Sequence, residues 1–395
     1  MLFTRSFPLM MRPAYWWDTR AALFYGLYNG LTLSYLAVVA VRLNMPAAVI
    51  GFVAAAPYLG YLGTSWFAAH PLDRRCIPAC TRAWFLGRTL TGVMLLTAGR
   101  PWLFLAVSLL LWAGEAWGMP GYSVIVQRVY PVAERGRAMG NVRVFSTLSL
   151  VLGAALGGVL LDRLGTGSYL LLFPAGGLAG VIAAHYFTRI RVPHDGGRLR
   201  PMPVLRSWRY LRRRPALMRF TAVQFISGAG NLVAVALFPL FQVRELGLSN
   251  FAIGMLIALT GLCNALSFSF WGRMIDRHGP LVVLKRILLL VPLVPLGYAC
   301  AFSIGPVIAA SVVAGLTLLA WDLAWQNYLF VSVGRQLQGV IGLQYTLLGI
   351  RGLVFPILGV WLAGHFGMRP VLLVAALLIA IGALALPSHS QPADL

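Results

Sequence analysis

The chain has 395 residues, 59% of them hydrophobic and only 11% charged, with a mean hydropathy of +0.80. A water-soluble domain needs far more charge to cover its surface, so that class is excluded. In a soluble protein the net charge of +22 would point to nucleic acid. Here the placement of the charges gives them another cause, and no nucleic-acid partner is expected.

The start, MLFTRSFPLMMRPAYWWDTR, lacks an apolar core and a small-residue cleavage site, so it does not read as a cleaved signal peptide. Trp16 and Trp17 fit the aromatic belt of a membrane interface. Apolar runs then recur along the chain, each long enough to cross a hydrocarbon core of ~30 Å as a helix. They predict twelve spans, at 19–42, 46–69, 77–98, 101–130, 136–161, 168–188, 218–243, 249–272, 280–301, 304–333, 338–363 and 369–387. Pro57, Pro120, Pro239 and Pro356 fall inside spans and mark expected kinks.

Of 32 basic residues, all but Lys285 are arginine, and they collect in alternate loops. With the N-terminus inside, Arg74 and Arg75, Arg128 to Arg137, Arg189 to Arg219, Arg273 to Arg286 and Arg335 are cytoplasmic. Arg42, Arg100, Arg163, Arg244 and Arg369 lie opposite. The positive-inside rule therefore places both termini in the cytoplasm, in a multi-pass protein of a bacterial inner membrane.

Between spans six and seven lies the one long polar segment, RIRVPHDGGRLRPMPVLRSWRYLRRRPALMR. Leu205, Trp208 and Leu211 recur there at helical spacing among arginines. They read either as a short basic helix on the inner leaflet, facing anionic lipid, or as a plain linker. The halves on either side repeat. At an offset of 202, Gly26 meets Gly228, Asn29 meets Asn231, Arg42 meets Arg244, Gly140 meets Gly342, Gly157 meets Gly359 and Gly165 meets Gly367. Six plus six helices in parallel repeats is a transporter plan. The expected division is an N-terminal bundle at 1–188, a basic linker at 189–217 and a C-terminal bundle at 218–395.

After span eight comes WGRMIDRHGPLVVLKR, residues 271–286. It resembles the loop signature of the major facilitator superfamily, with Gly272, Asp276, Arg277 and Gly279 at the signature positions. The first-half counterpart, HPLDRRCIP, keeps Asp73, Arg74 and Arg75 without the flanking glycines. PVAERGRAMGNVR resembles the family's loop between helices four and five. GAALGGVLLDRLG resembles its glycine-rich motif in helix five, with Ala154 where that motif has proline. The resemblance implies an all-α polytopic membrane protein of twelve transmembrane helices in two pseudo-symmetric six-helix bundles. It also implies a cytoplasmic latch at Asp73, Arg74, Gly272, Asp276, Arg277 and Gly279, and a cavity lined by helices one, four, seven and ten.

The sequence itself puts buried polarity on those helices. Span one carries Tyr25, Tyr28, Asn29 and Thr32 on one face, span four Trp112, Glu115, Met119 and Tyr122, and span seven Gln224, Ser227 and Asn231. Span ten carries Asp322, Trp325 and Gln326, with Trp321 beside them. Glu115 is 15 residues from Arg100 and 13 from Arg128, about 20 Å of rise either way, so it lies near the midplane. Arg82 and Arg88 are candidate partners, neither level with it by helical rise, and an unpaired carboxylate at that depth suits proton exchange. Asp322 and Arg351 flank the turn near Gln336 by 14 and 15 residues, and are expected to form a buried pair.

Neither the four cysteines nor the six histidines have metal or triad spacing, and no GxxxxGK[ST] sequence occurs, so no enzyme, metal, cofactor or direct use of ATP is expected. The expected function is secondary active transport by alternating access: proton-coupled efflux of amphipathic or hydrophobic small organic molecules by a monomer. Glu115 is the first candidate for the proton and Asp322 the second, with Arg351 and the polar and aromatic residues above around the substrate. Uptake of a polar metabolite or organic anion through Arg351, Asn29, Asn231, Gln224 and Gln326 is the alternative. Translocation of lipid or lysolipid is a third.

Overall fold

The computed structural model describes residues 8, 11–68, 76–191, 204–333 and 337–386. Helices α1 (Arg12–Leu31) and α2 (Leu36–Arg42) are joined by a 3-10 turn at Leu33–Tyr35. Then come α3 (Ala47–Ala68), α4 (Cys76–Thr89) continued as a 3-10 stretch Leu90–Leu96, α5 (Pro101–Val129), α6 (Val132–Arg163) and α7 (Tyr169–Thr188). The remainder is α8 (Val204–Arg212), α9 (Pro215–Leu240) running into a π-turn Phe241–Glu245, α10 (Asn250–His278), α11 (Pro280–Leu290), α12 (Leu293–Ala299), α13 (Ile304–Val333), α14 (Leu337–Phe366) and α15 (Met368–Ala385). Among the described residues nine helices are long and apolar enough to cross a membrane, and two shorter apolar stretches lie at Ala47–Leu62 and Pro101–Ala116.

The outer surface says the same. Leu148, Leu152, Leu156 and Leu160 form an exposed stripe on α6, and Val374, Leu377, Ile381 and Leu384 are exposed on α15. Bare leucine rows at helical spacing are at home in hydrocarbon, not in water. The backbone stays helical through Pro57, Pro120 and Pro356, while at Pro239 the helix widens two residues later into the π-turn.

Packing sorts the helices into two compact units. Unit 1 comprises Met1–Val39, His70–Arg200 and Ser249–Ala258; unit 2 comprises Ala40–Ala69, Pro201–Leu248 and Leu259–Leu395. In unit 1, α1 packs on α6 and α7, and α4 on α5 and α7. In unit 2, α3 packs on α14, and α9 on α14 and α15. Thus α3 and the first two turns of α10 are grouped by their contacts and not by their place in the chain. Of the two readings of the arginine-rich segment, helix or plain linker, a helix forms, α8, but its apolar side rests on protein instead of facing lipid. Leu211 is fully buried in the unit 2 core, Tyr210 Oη donates to the Val333 carbonyl at 3.2 Å, and Arg206, Arg209 and Arg212 are exposed.

The internal repeat has a conformational signature. Gly165 (φ 79°, ψ 161°) and Gly367 (φ 85°, ψ 157°), 202 residues apart, make the same turn before α7 and α15. That region of backbone space is essentially open to glycine alone. Gly279 of the loop signature makes the turn into α11 in the same way (φ 80°, ψ 155°).

The start of α10 is held by α6. Asp162 Oδ1 accepts from Asn250 N and Asn250 Nδ2 and Oδ2 from Phe251 N, all at 2.8 Å, and Ser249 Oγ accepts from Ala252 N at 3.1 Å. Tyr35 Oη donates to the Ala154 carbonyl at 2.6 Å beneath this cap. A carboxylate on the first free N–H groups of a helix satisfies orphan donors and meets the positive end of the dipole. Asp162→Ala should therefore lower stability by about 1 kcal/mol, with Asp162→Asn in between, read as melting temperature of the purified protein. An unchanged melting temperature in both would show that the cap adds nothing.

Candidate functional site

In unit 1 the acid of span four is sealed, not open. Arg88 Nε donates to Glu115 Oε1 at 2.6 Å and Nη2 to Oε2 at 3.0 Å, while Nη1 donates to the Gly180 carbonyl at 2.8 Å. Both side chains are 4% exposed. The expectation that Glu115 has no partner at its depth is thereby corrected. The reason lies in helix type. From Arg88 to the turn at Thr97 an α-helix would rise about 14 Å, but the 3-10 stretch Leu90–Leu96 extends this to about 17 Å. Glu115 lies about 21 Å past the same turn, and the arginine side chain spans the remainder. Helices α4 and α5 touch beside the pair: a Cβ on Gly114 would come within 2.8 Å of both the Ala83 carbonyl oxygen and Gly87 Cα.

Aromatic rings surround the guanidinium. Its Cζ is 5.2 Å from the Tyr25 ring centroid, 5.4 Å from Tyr28 and 5.3 Å from Trp84, whose Nε1 donates to the Glu115 carbonyl at 3.2 Å. Tyr28 is fully buried there. Asn29 Oδ1 accepts from Ser34 Oγ at 3.3 Å, Trp112 is half-buried, and Tyr122 packs on Phe187 with ring centroids 5.6 Å apart. A second buried acid, absent from the sequence expectations, is Asp18, whose Oδ2 accepts from Tyr130 Oη at 2.7 Å.

In unit 2 the polar residues open onto a cavity of about 440 Å³. Gln224, Asn231, Trp321, Asp322, Trp325, Gln326 and Arg351 line it, so these second-half residues expected from sequence share one cavity, whereas Ser227 on the same span is buried and does not line it. Sequence reasoning missed Tyr58 and Tyr61 of α3, Asn264 of α10, and Gln344 and Tyr345 of α14. The wall is cross-braced: Trp321 Nε1 donates to Gln224 Oε1 at 2.7 Å, and Gln344 Nε2 to Thr221 Oγ1 at 2.8 Å. Tyr61 stacks on Tyr345 with centroids 5.5 Å apart.

The expected Asp322–Arg351 ion pair is not formed; among the described residues the salt bridge is Arg88–Glu115. Asp322 accepts from Trp325 Nε1 at 3.1 Å and is exposed, and Arg351 donates from Nη1 to the Gln224 carbonyl on α9. Equal depth puts both residues on one cavity, as expected, but depth does not fix azimuth around a helix. Arg351 turns toward Gly228, where there is no side chain: a Cβ on Gly228 would lie 2.3 Å from Arg351 Cζ.

A family model described as Major Facilitator Superfamily matches residues 21–347 and 220–393. The chain belongs to this family. Among curated relatives, Multidrug resistance protein MdtG of Salmonella paratyphi C (strain RKS4594) is 30% identical over 164 residues, 40% of either chain. The MdtG of Yersinia enterocolitica serotype O:8 / biotype 1B (strain NCTC 13174 / 8081) is 30% identical over 159 residues, 38% of either chain. These matches span about 40% of the length of the relatives. Solved structures agree over more of the chain. The nucleoside transporter NupG superposes with TM-score 0.72 at 12% identity, over 94% of this chain and 98% of NupG. The human organic anion transporter MFSD10 (TETRAN) does so with TM-score 0.67 at 15% identity, over 96% and 100%. At such identities they establish a shared fold. The chain is thus a multi-pass membrane protein of this superfamily.

Within the family's loop signature, Gly272, Asp276, Arg277 and Gly279 sit at the end of α10 and the turn into α11, with Asp276 and Arg277 exposed. Asp73 and Arg74 lie outside the described residues.

The sealed pair makes a stability prediction. Glu115→Gln or Arg88→Met alone strands a buried charge or donor and should cost about 3–5 kcal/mol, whereas Arg88→Met with Glu115→Leu should recover most of it. Melting curves of the three variants check this. A double variant no better than the worse single one would show that the pair is not the source of the loss.

Proposed function

We propose that the protein is a proton-coupled exporter of small amphipathic organic molecules, working by alternating access as a monomer in a bacterial inner membrane with both termini in the cytoplasm. The observation that carries this reading is Asp322: an exposed carboxylate in a cavity whose walls include Trp321, Trp325, Tyr58 and Tyr345. A coupling acid must meet water to load and unload its proton, and Asp322 does so where Glu115, bridged and enclosed, does not. Protonation removes the charge that holds a cationic or donor group of the substrate, so proton and substrate compete for one carboxylate. Indole and phenol rings give broad apolar contact with polar edges, which suits compounds of mixed character. The direction follows the multidrug resistance proteins matched over 40% of the chain. The amides of Gln224, Asn231, Asn264, Gln326 and Gln344 favour a second reading, uptake of a polar metabolite or organic anion.

Flux in proteoliposomes with an imposed pH gradient, across small fluorescent dyes that differ in charge, tests the proposal. Wild type should move at least one amphipathic dye against its gradient, and Asp322→Asn should lose gradient-driven flux at least about tenfold while still exchanging dye at equilibrium. Full gradient dependence in Asp322→Asn removes Asp322 from the coupling role. Uptake instead of extrusion favours the second reading.

A further inference from the structure

We propose that the end of unit 1 where α1 begins and α7 finishes is a binding site for an anionic phospholipid. Arg20 and Arg189 receive the headgroup phosphate, and the outer face of α7 is the wall for an acyl chain.

The two helices run antiparallel, side by side. Trp17 of α1 stacks on Tyr186 of α7 with ring centroids 5.7 Å apart, and Thr32 Oγ1 donates to the Phe173 carbonyl at 3.3 Å. Trp17 and Thr32 are separated by about 22 Å of helix rise, so these contacts lie toward opposite ends of the pair. Tyr186 is two residues from the end of its membrane-length helix at Thr188. The Trp17–Tyr186 end therefore sits at the boundary between hydrocarbon and headgroups, the level at which Trp and Tyr collect.

At that level a cation lies on the rings. Arg20 Cζ is 3.4 Å from the Trp16 ring centroid, 5.7 Å from Tyr186 and 5.9 Å from Trp17, and Trp16 is exposed. Stacking holds a planar guanidinium by its flat side and leaves its N–H groups pointing outward in its own plane. Arg20 makes no hydrogen bond or ion pair among the described residues. On α7, Arg189 Nη2 donates to His185 Nε2 at 3.3 Å, and both residues are exposed. The His185 and Tyr186 rings, 6.2 Å apart, join the two arginines into one patch. Neither arginine has a carboxylate partner among the described residues. Their donor forks match the oxygens of a phosphate.

The surface running from this patch toward the membrane centre is apolar. Leu178 and Leu171 are 63% and 71% exposed, and with His185 they recur every seven residues as one stripe on α7. A cationic end followed by an apolar stripe fits a molecule whose phosphate is followed by a hydrocarbon chain. Free phosphate leaves the stripe unused, and an acidic peptide has no counterpart for it. A choline or ethanolamine headgroup would bring a cation back to the two arginines, so the lipid that gains most carries net negative charge.

The test uses the full chain in detergent and native mass spectrometry. Phosphatidylglycerol and phosphatidylcholine with the same acyl chains compete for the protein, and the melting temperature of every variant is recorded. With two basic residues at the surface, wild type should retain phosphatidylglycerol at least about tenfold over phosphatidylcholine. Arg20→Gln and Arg189→Gln should each lower that preference about fivefold, the effect of one basic residue near a membrane surface, and the double variant should abolish it. Arg20→Lys, which keeps the charge and loses the planar fork, should fall between wild type and Arg20→Gln. If Arg20→Gln does not fold, Arg189→Gln carries the test. Equal retention of the two lipids by wild type, or an unchanged preference in the double variant, overturns the site. Displacement of phosphatidylglycerol by millimolar inorganic phosphate assigns the arginines to free phosphate and overturns the lipid.

Discussion

A charged side chain inside a hydrocarbon layer has no water to fall back on, so its partner must come from within the protein. Much of the chemistry of this chain follows from how that requirement is met at two places. In unit 1, Arg88 and Glu115 meet it in full: two charge-assisted hydrogen bonds to each other, a third to the Gly180 carbonyl, and rings of Tyr25, Tyr28 and Trp84 about the cation. In unit 2 it is met in part. Arg351 donates from one nitrogen to a backbone carbonyl while its Nε is buried with no hydrogen-bond partner among the described residues, and Asp322 accepts from an indole N–H at the edge of open space.

The local sequence makes each arrangement possible. Gly87 and Gly114 stand immediately before Arg88 and Glu115, and their missing side chains let α4 and α5 close until the pair is out of reach of solvent. In unit 2, α9 has glycine at 228, and the space that a side chain would fill is taken by the guanidinium from α14. The same residue type thus serves helix contact in one unit and placement of a charge at a cavity wall in the other. Burial with full pairing favours rigidity; an incompletely paired charge beside a cavity favours exchange of partners, which a carrier requires.

Hydrophobic run length was enough to read a polytopic helical protein, nine of whose described helices are long and apolar enough to cross a membrane against twelve spans expected, because a ~30 Å layer sets helix length almost independently of context. Span ten, expected at 304–333, coincides with α13, and the turn glycines Gly165 and Gly367 were visible as repeat partners. What the sequence did not show depended on rise and azimuth. The 3-10 stretch at Leu90–Leu96 shifts Arg88 toward Glu115 by about 3 Å, and no residue pattern in LTGVMLL announces it. Tyr58 and Tyr61, three apart in an otherwise apolar span, were a legible signal. They fall on span two, outside the four helices that the family resemblance assigns to the cavity. The signature glycines and Asp276 were legible as a motif, while the chemistry of Arg351 was not, since a helical depth estimate places it level with Asp322 and says nothing of Gly228 on a different helix.

The duplicated fold makes the contrast between the units informative. At the repeat offset of 202, Glu115 falls on Thr317 and Arg88 on Leu290. Thr317 is buried and donates to the Val313 carbonyl at 2.7 Å and the Ala314 carbonyl at 3.5 Å, both of its own helix, and Leu290 is exposed on α11, so these positions hold no copy of the sealed pair. Its acid stands five residues farther along the equivalent helix, at Asp322, more than one turn away and rotated by about 140° from the position of Thr317. That displacement puts the carboxylate in the wall of the cavity, which Thr317 does not line. Two halves with one ancestry in pattern have therefore come to use their intramembrane charges differently. The first fixes them into helix packing, and the second keeps them at the cavity surface.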